Sequence, residues 1–326
     1  MSAMQGTAWI GIDVGKTSLD VVRHPNGLPW QVANDAAGWQ ALVADCQTTP
    51  PAGIVLEATG GYETGVVVAL DAAGFTPVVA NPTSARRFAQ SLGRRAKSDR
   101  LDAAMLGEYG ARLQPVAQPV PSETARQLRA LIDRREQLTK QLVEEQNRLQ
   151  QAEPVVRDSI QAHLVWLRDA RDEVTRTLDA LVQSDPFWQH RVALLETVPG
   201  MGRWTATVYA VELPELADRT GKQLASLVGV APHPRESGRC RGQRFISGGR
   251  AHLRRAGYQA VHAAQRSRDP VLRRHVAQLM ARGKSRKQAI VASLRRLLGI
   301  LHVMVRDDLT WDQTRVGKGG YLPATP

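Results

Sequence analysis

Apolar and polar residues alternate over short runs in the first third of the chain, and between these runs the apolar residues recur every three to four positions. Alternation is typical of strands and the longer period is typical of helices, which gives the order βββ-α-β-α-β-α-α. The predicted strands are "AWIGIDVG", "SLDVVRH", "LPWQVAN", "GIVLEAT" and "FTPVVAN". This order predicts an α/β domain with a sheet of mixed strands.

The pattern changes from Ser122 to about Val182, where the leucines follow a broken heptad-like repeat that Arg135 and Glu145 interrupt. The stretch "AEPVV" separates two halves, and each half predicts a helix about 40 Å long. Because helices of this length cannot cover their own apolar stripes, we expect a helical hairpin with coiled-coil packing that dimerises. A helical linker packed on its own domain is the alternative.

A third, mostly helical region begins after "SDPFWQH", so the predicted domains are residues 1–120, 121–190 and 191–326. Its longest apolar run, Leu297–Val305, is half as long as a membrane span and predicts a buried helix, with no membrane contact. The tail from about Thr314 has no periodic pattern and is expected to be disordered. Cys46 and Cys240 fit neither a disulfide framework nor a zinc site, so we expect a soluble protein of the reducing cytoplasm.

Charge is distributed unevenly along the chain. Residues 1–120 contain 9 lysines and arginines against 10 acids, whereas residues 222–306 contain 19 against 2. Arginine accounts for 36 of the 43 basic residues, and its guanidinium binds phosphate through two parallel hydrogen bonds. The third region is therefore expected to bind nucleic acid, chiefly through the phosphate backbone because aromatic residues make up only 5% of the chain.

Four carboxylates of the first region fall where a metal site would form. Asp13 lies inside the first strand, where an apolar residue is normally found, and Glu57 ends the "GIVLE" strand at the carboxyl edge of the sheet. Asp99 and Asp102 are three residues apart and share one helix face. If the two strands are neighbours, all four carboxylates can converge on Mg²⁺ or Mn²⁺, ions that promote in-line phosphoryl transfer. Taken singly, each acid is a helix cap or a solvated charge instead.

These carboxylates lie in "GIDVGK", "LEATGGYE" and "KSDRLDAAML", which resemble the motifs of the DEDD transposases, recombinases of insertion sequences. The resemblance continues through "LLETVPGMG", "LASLVGVAPHPRESG" and "HLRRAGYQA", to about residue 306. It implies a RuvC-like, ribonuclease-H-type domain at the amino terminus and a mostly helical domain at the carboxyl terminus. The acidic tetrad of the family falls on Asp13, Glu57, Asp99 and Asp102.

Ser237 lies in "PRESGRCRG", and a serine before glycine by itself predicts only a turn. The resemblance implies that Ser237 is the nucleophile that becomes covalently joined to DNA. It also implies a structured guide RNA from the element, a bridge RNA, which pairs with donor and target DNA. The chain departs from the family at "ISGG", where Gly248 replaces the usual lysine, and Arg244 or Arg250 is the candidate to replace its phosphate contact.

Two further features of the third region point to phosphate binding. The "VPGMG" segment resembles a helix-hairpin-helix turn, whose backbone N–H groups bind phosphate, with Gly200 and Gly202 as candidates; a plain helix end is the alternative. His233 is interpreted as a loop histidine rather than a proton donor. The arginine cluster is a candidate nucleic-acid surface that consists of Arg235, Arg239, Arg241, Arg244, Arg250, Arg254 and Arg255.

These features together predict a DNA transposase that cuts and rejoins DNA through Ser237 in a homo-oligomer, a dimer or tetramer, at the bacterial nucleoid. The second hypothesis is a metal-dependent nuclease that hydrolyses Holliday-type junctions with water, in which Ser237 is inert. The third is a non-catalytic nucleic-acid scaffold with purely structural acids. A covalent protein–DNA adduct distinguishes the first hypothesis from both others, and cleavage without an adduct distinguishes the second from the third.

Overall fold

The structure is a computed structural model that describes residues 8–93, 99–233, 236–237, 240–241, 244–267, 270–317 and 320–321. Side chains are described over 8–93, 102–233, 244–267 and 270–317. The chain divides into an amino-terminal unit that ends at Pro121 and a carboxy-terminal unit that begins at Ser122.

Five strands of the amino-terminal unit form one mixed sheet with the spatial order β3-β2-β1-β4-β5. The first three strands are antiparallel neighbours that short loops connect, whereas β4 and β5 run parallel to β1 after helical crossovers. The predicted order of elements and the mixed sheet are confirmed. The strands are β1 (Trp9–Val14), β2 (Ser18–His24), β3 (Trp30–Ala33), β4 (Gly53–Glu57) and β5 (Pro77–Ala80).

Helices cover both faces of this sheet. The first face packs against the helices α1 (Ala36–Thr48) and α2 (Thr64–Ala72), and the second face packs against α3 (Pro82–Ser91) and α4 (Asp99–Leu113). Asp35 caps α1 by accepting a hydrogen bond from the Gly38 N–H at 2.9 Å. The two faces enclose separate apolar clusters, so the unit is a three-layer α/β/α structure.

Small residues allow α4 to lie directly on the central strand. A Cβ atom at Gly11 of β1 would lie 2.0 Å from the Ala103 carbonyl oxygen and 2.3 Å from the Gly107 backbone nitrogen. Gly110, one turn further along α4, packs against the Trp9 ring. A side chain at Gly11 would therefore push the helix away from the sheet.

The carboxy-terminal unit is mostly helical and has one large apolar cluster to which α5 to α12 contribute. Two 3₁₀ turns lie at Pro214–Leu216 and Gln313–Arg315. The helices are α5 (Glu123–Gln151), α6 (Pro154–Ser184), α7 (Pro186–Glu196), α8 (Arg203–Glu212), α9 (Gly221–Leu227), α10 (Ala251–Ala264), α11 (Val271–Ala281) and α12 (Arg286–Arg306). The strands are β6 (Pro232–His233), β7 (Glu236–Ser237), β8 (Cys240–Arg241), β9 (Phe245–Ile246), β10 (Val316–Gly317) and β11 (Gly320–Tyr321).

The predicted pair of long helices is present as α5 and α6, which pack against each other along their length. The half of this helix pair that contains Leu128 and Leu178 packs in the main core of the carboxy-terminal unit. Their distal half has its own small cluster, which includes Leu142 and Leu167. Beside this cluster the Glu145 carboxylate binds His163 and Arg148, and these hydrogen bonds hold the pKa of Glu145 below its ordinary value.

Helix α12 is the central helix of the unit. It has the length and apolar composition of a membrane span, but half of its most apolar window is buried inside the unit. Leu294, Leu297 and Leu301 belong to the main core, which confirms the predicted buried helix. The expected disorder of the tail is wrong for β10 and β11, which form a two-stranded ladder where the Arg296 guanidinium donates to the Gly317 carbonyl at 2.8 Å.

The contact between β1 and α4 generates a graded prediction. Gly11→Ala places a methyl group on helix backbone, so we expect the free energy of unfolding to fall by about 3 kcal/mol, the upper end for overpacking. Gly107→Ala would place a methyl group 2.9 Å from the His24 Cβ and 3.4 Å from the Gly11 nitrogen, a milder overlap that the helix preference of alanine partly offsets, so we expect a smaller loss of about 1 kcal/mol. Urea unfolding of both variants measures the difference, and equal stabilities would show that the close contact does not matter.

Candidate active site

Asp13 and Glu57 lie side by side at the carboxyl ends of two neighbouring parallel strands. Ile12 of β1 pairs with Leu56 of β4, so the next residue of each strand is one of the two acids. Strand residues two apart point to the same face, and Gly11 faces α4, so Asp13 also lies on the α4 side. Both acids thus lie at one edge of the sheet, on the face that α4 covers, and the two strands are neighbours as the sequence prediction requires.

Helix α4 brings the other two acidic positions to the same edge. Ala103 contacts Gly11 whereas Gly110 contacts Trp9, so α4 runs antiparallel to β1 and begins near the Asp13 end. Asp102 immediately precedes Ala103, and Asp99 is the first residue of the helix. The Asp99 side chain lies outside the described residues.

The donor set at this edge fits a hard divalent cation, because carboxylate oxygens are the ligands that Mg²⁺ and Mn²⁺ prefer. The described side chains include Asp13, Glu57 and Asp102 but not Asp99, and they contain no group of three that is spaced to hold a metal ion. The backbone places Asp13 and Glu57 at one sheet edge and Asp102 near the start of the helix above it, but the described carboxylates do not form a metal centre of three side chains, so the four-ligand set remains a prediction.

Asp20 is a further acid at this edge that the sequence analysis does not identify. It pairs with Asp13 across β1 and β2, and its carboxylate accepts hydrogen bonds of 3.2 and 3.3 Å from the Gln31 amide. Cross-strand partners lie on the same face, so Glu57, Asp13 and Asp20 form a row across three strands. The two-residue turn Lys16–Thr17 carries the signal, because it fixes the register that sets Asp20 opposite Asp13.

Asn34 ties together the two loops that follow the acidic strand ends. Its amide nitrogen donates to the Gly15 carbonyl at 2.8 Å and to the Tyr62 carbonyl at 3.1 Å, and its oxygen accepts from the Trp39 indole at 2.8 Å. Glu63 holds the second loop from inside by accepting from the backbone of Thr59 and Gly61. These contacts fix the strand ends that carry Asp13 and Glu57.

Ser237 lies in a β-hairpin of the carboxy-terminal unit. The strands β6 and β9 form the base of the hairpin, and β7 and β8 form its outer part, where Ser237 pairs with Cys240. The Ser237 and Arg241 side chains, and Arg235 and Arg239 entirely, lie outside the described residues. The placement by itself shows that Ser237 is carried on a short two-stranded ribbon.

Arg254 closes the base of this hairpin. One of its guanidinium nitrogens lies 3.2 Å from the Gly229 carbonyl, before the hairpin, and 2.8 Å from the Gly248 carbonyl, after it. Gly248 thus supplies a backbone acceptor at the position where the family resemblance implies a lysine. Arg254 has an internal role, which the density of arginines in the sequence does not reveal.

Two transposase family models match the chain. The DEDD transposase model of the IS110 type covers residues 10–152, which include the acidic edge. The model described as transposase of the IS116/IS110/IS902 family covers residues 192–277, which include the Ser237 hairpin.

The chain belongs to the IS110 family of DEDD-type transposases. The resemblance drawn from its motifs is therefore confirmed, and an IS110-family transposase is a DNA-rearranging enzyme whose substrates are DNA.

Relatives agree with this assignment. The transposase is 27% identical over 314 residues to the pilin gene-inverting protein of Moraxella bovis, a match that covers 94% of this chain and 98% of that protein. The Moraxella lacunata protein of the same name is also 27% identical over 314 residues, with the same coverage. An uncharacterized 43.6 kDa protein of insertion element IS110 from Streptomyces coelicolor is 29% identical over 172 residues, 52% of this chain and 41% of that protein.

Arg250 of the transposase forms an internal ion pair rather than an open phosphate contact. Its guanidinium donates to both carboxylate oxygens of Glu215, at 2.6 and 2.7 Å, and to the Glu212 carbonyl at 2.9 Å. Burial alone would raise the pKa of Glu215, but the hydrogen bonds from Arg250 hold that pKa below its ordinary value.

Two other arginines of the cluster are exposed: Arg244, and Arg255, which has one 3.3 Å contact to Glu136. Phosphate binding therefore remains a prediction for Arg244 and Arg255, and His233 is exposed as expected for a loop histidine.

The "VPGMG" turn of the transposase connects α7 to α8, and its two glycines have different surroundings. Gly200 has a φ of +84°, and a Cβ there would lie 2.4 Å from the Ala260 carbonyl, so this glycine allows close contact with α10. Gly202 is the exposed N-cap residue of α8 and has open space beside it. Phosphate binding at this turn therefore remains a prediction, with Gly202 as its exposed candidate.

The Arg250–Glu215 pair generates a prediction about stability and pH. Arg250→Gln leaves a half-buried carboxylate without its partner, so we expect the free energy of unfolding at pH 7 to fall by about 3 kcal/mol. Arg255→Gln, which removes an exposed contact, should cost less than about 1 kcal/mol. Because the folded-state pKa of Glu215 is depressed, the pair stabilises the fold above the unfolded pKa of about 4.3, and this stability is lost as pH falls through the folded pKa. Thermal unfolding between pH 7 and 3 should show the wild-type advantage shrinking, and a constant difference would contradict the assignment.

Proposed function

We propose that this transposase breaks and rejoins DNA through a covalent Ser237–DNA intermediate, with Asp13, Glu57, Asp99 and Asp102 as the ligands of Mg²⁺ or Mn²⁺. The observation that carries the proposal is the convergence of the acidic positions on one sheet edge beneath the start of α4. A mixed sheet with acids at neighbouring strand ends supports a RuvC-like, ribonuclease-H-type domain. The pilin gene-inverting relatives support the same function, because gene inversion requires DNA to be cut and rejoined.

In the proposed reaction the Ser237 hydroxyl oxygen attacks a backbone phosphorus atom. A new Oγ–P bond forms, the bond between phosphorus and the leaving nucleoside oxygen breaks, the hydroxyl proton is lost and the leaving oxygen gains a proton. Reversal on a second DNA end restores the serine, so one phosphodiester replaces another without ATP. A bound divalent ion would neutralise charge on the phosphate. The exposed Arg244 and Arg255 would hold the neighbouring phosphates.

We expect wild-type protein, assayed with its copurified RNA, to form a covalent adduct with nicked DNA that carries an element end, and Ser237→Ala to bind this DNA without forming an adduct. The matched control is Ser247→Ala, which removes an exposed hydroxyl immediately after β9. Denaturing electrophoresis with peptide mapping identifies the modified residue. An adduct that persists in Ser237→Ala, or maps elsewhere, would refute the nucleophile. Cleavage without an adduct would favour the junction nuclease, and binding without cleavage would favour the scaffold.

The same substrate tests the acidic edge. Excess chelator should abolish the adduct and Mg²⁺ or Mn²⁺ should restore it, because the phosphate charge is then neutralised. Asp13→Asn should lose at least about 100-fold in adduct yield while its unfolding midpoint is unchanged. Asp71→Asn, at an exposed helix position of the same unit, should behave as wild type. Full activity in chelator would exclude the metal.

We further propose a homo-oligomer, a dimer or tetramer, that forms through the distal half of α5 and α6. Large apolar side chains are exposed there although the hairpin buries its own small core, as shown by Val143, Val155, Val165 and Trp166. Trp166→Glu should therefore shift sedimentation towards the monomer.

If the active site is shared between chains, mixing Ser237→Ala with Asp13→Asn should restore part of the activity. No rescue in verified mixed oligomers would mean that each chain builds its own site.

Guide RNA is the remaining partner in the proposal. It rests on the family membership together with the uneven charge, in which residues 222–306 carry 19 basic residues against 2 acids. We propose that RNA pairs with donor and target DNA while the protein holds the backbones, at the nucleoid in the bacterial cytoplasm. Recombination by rigorously RNA-free protein would rule out this requirement.

A further inference from the structure

A groove of about 1210 Å³ opens in the carboxy-terminal unit between α9, α11, α12 and the β6–β9 ladder. Its described lining contains no aspartate or glutamate. Six basic residues line it: Lys222, Arg244, Lys284, Lys287, Arg295 and Arg296. Six facing cations without an anion repel one another, so the groove complements a polyanion.

Most of these cations are available to a ligand. Arg296 is the exception, because it donates to the Gly317 carbonyl. The other five are exposed, and within the described part of the chain they form no ion pair or side-chain hydrogen bond. They differ in this respect from Arg250 and Arg254, whose guanidinium groups serve the fold.

Apolar side chains lie among these cations. Val230, Leu279 and Val291 line the groove, and Phe245 and Ile246 stand at its rim with 53% and 39% of their surfaces exposed. Duplex DNA offers mainly phosphates to a basic surface, because its bases are stacked inside. A single strand offers phosphates and unpaired bases together, and bases stack on aromatic rings such as Phe245. The composition of the groove therefore favours a single strand.

The groove is continuous with the hairpin that carries Ser237. Pro232, Phe245 and Ile246 line the groove and belong to β6 and β9, the base of that hairpin. Ser237 follows His233 by four residues, and four residues of fully extended chain reach at most about 14 Å. A strand that lies in the groove is thus within a few nucleotides of the serine.

We propose that this groove binds a single strand of the DNA being exchanged and directs it to the Ser237 hairpin. The direction towards Ser237 rests on the proposed function, whereas the binding itself does not. The cations hold successive phosphates, and Phe245 provides the stacking surface for an unpaired base.

The test uses the full chain and a fluorescent oligodeoxythymidylate of about 15 nucleotides. This length is near the upper end of the site sizes known for proteins that bind single strands. Lys287→Glu with Arg295→Glu should weaken binding at least about tenfold and reduce the slope of log affinity against log salt by about 1.4. Phe245→Ala should weaken binding about tenfold and leave the slope unchanged. The matched control, Arg273→Glu with Arg274→Glu, makes the same charge change on exposed residues of α11 that do not line the groove, and should weaken binding far less.

Each alternative outcome overturns a defined part of the proposal. An equal loss in the control pair would show that general charge, rather than the groove, binds the strand. An equal effect on a duplex of the same length would remove the single-strand preference. An effect confined to oligouridylate would assign the groove to RNA. Ser237→Ala should retain oligodeoxythymidylate binding. If wild-type protein with its copurified RNA binds the strand through the groove but forms no adduct with element-end DNA, the serine mechanism is refuted and the groove proposal is not.

Discussion

The contact between Gly11 and the backbone of α4 is the constraint on which the acidic edge depends. Without a side chain at Gly11 the helix lies against the central strand, and its direction is fixed by the further contact between Gly110 and Trp9. The start of α4 is thereby held at the strand ends that carry Asp13 and Glu57. A rigid helix and a rigid sheet position acidic groups more accurately than mobile loops could.

The order of strands and helices was predictable because a sheet with covered faces imposes clear periods on the sequence. The convergence of Asp13 and Glu57 was predictable too, since the carboxyl ends of parallel strands meet at one edge. Asp20 was not identified because its placement depends on the register of a hairpin, which no single strand reveals. The β10–β11 ladder was missed because two-residue strands are too short to show a period.

The density of basic residues along the sequence does not show which of them face a ligand. The conspicuous arginines between residues 235 and 255 include Arg250 and Arg254, which hold carboxylate and carbonyl groups of the fold. The groove draws its cations from segments far apart in the chain, and half of them are lysines that no local pattern marks. Folding decides which charges are neutralised internally, so composition predicts a polyanion partner better than it predicts the contact residues.

The clasp that Arg254 forms across the base of the Ser237 hairpin has a consequence for the length of the hairpin. Because one side chain fixes both ends of the hairpin to the helical core, the closure of that loop is set at its base rather than along its length. A change in length beyond this base would leave the Arg254 contacts with the Gly229 and Gly248 carbonyls in place. The distance between Ser237 and the core is thereby separated from the contacts that stabilise the base of the hairpin.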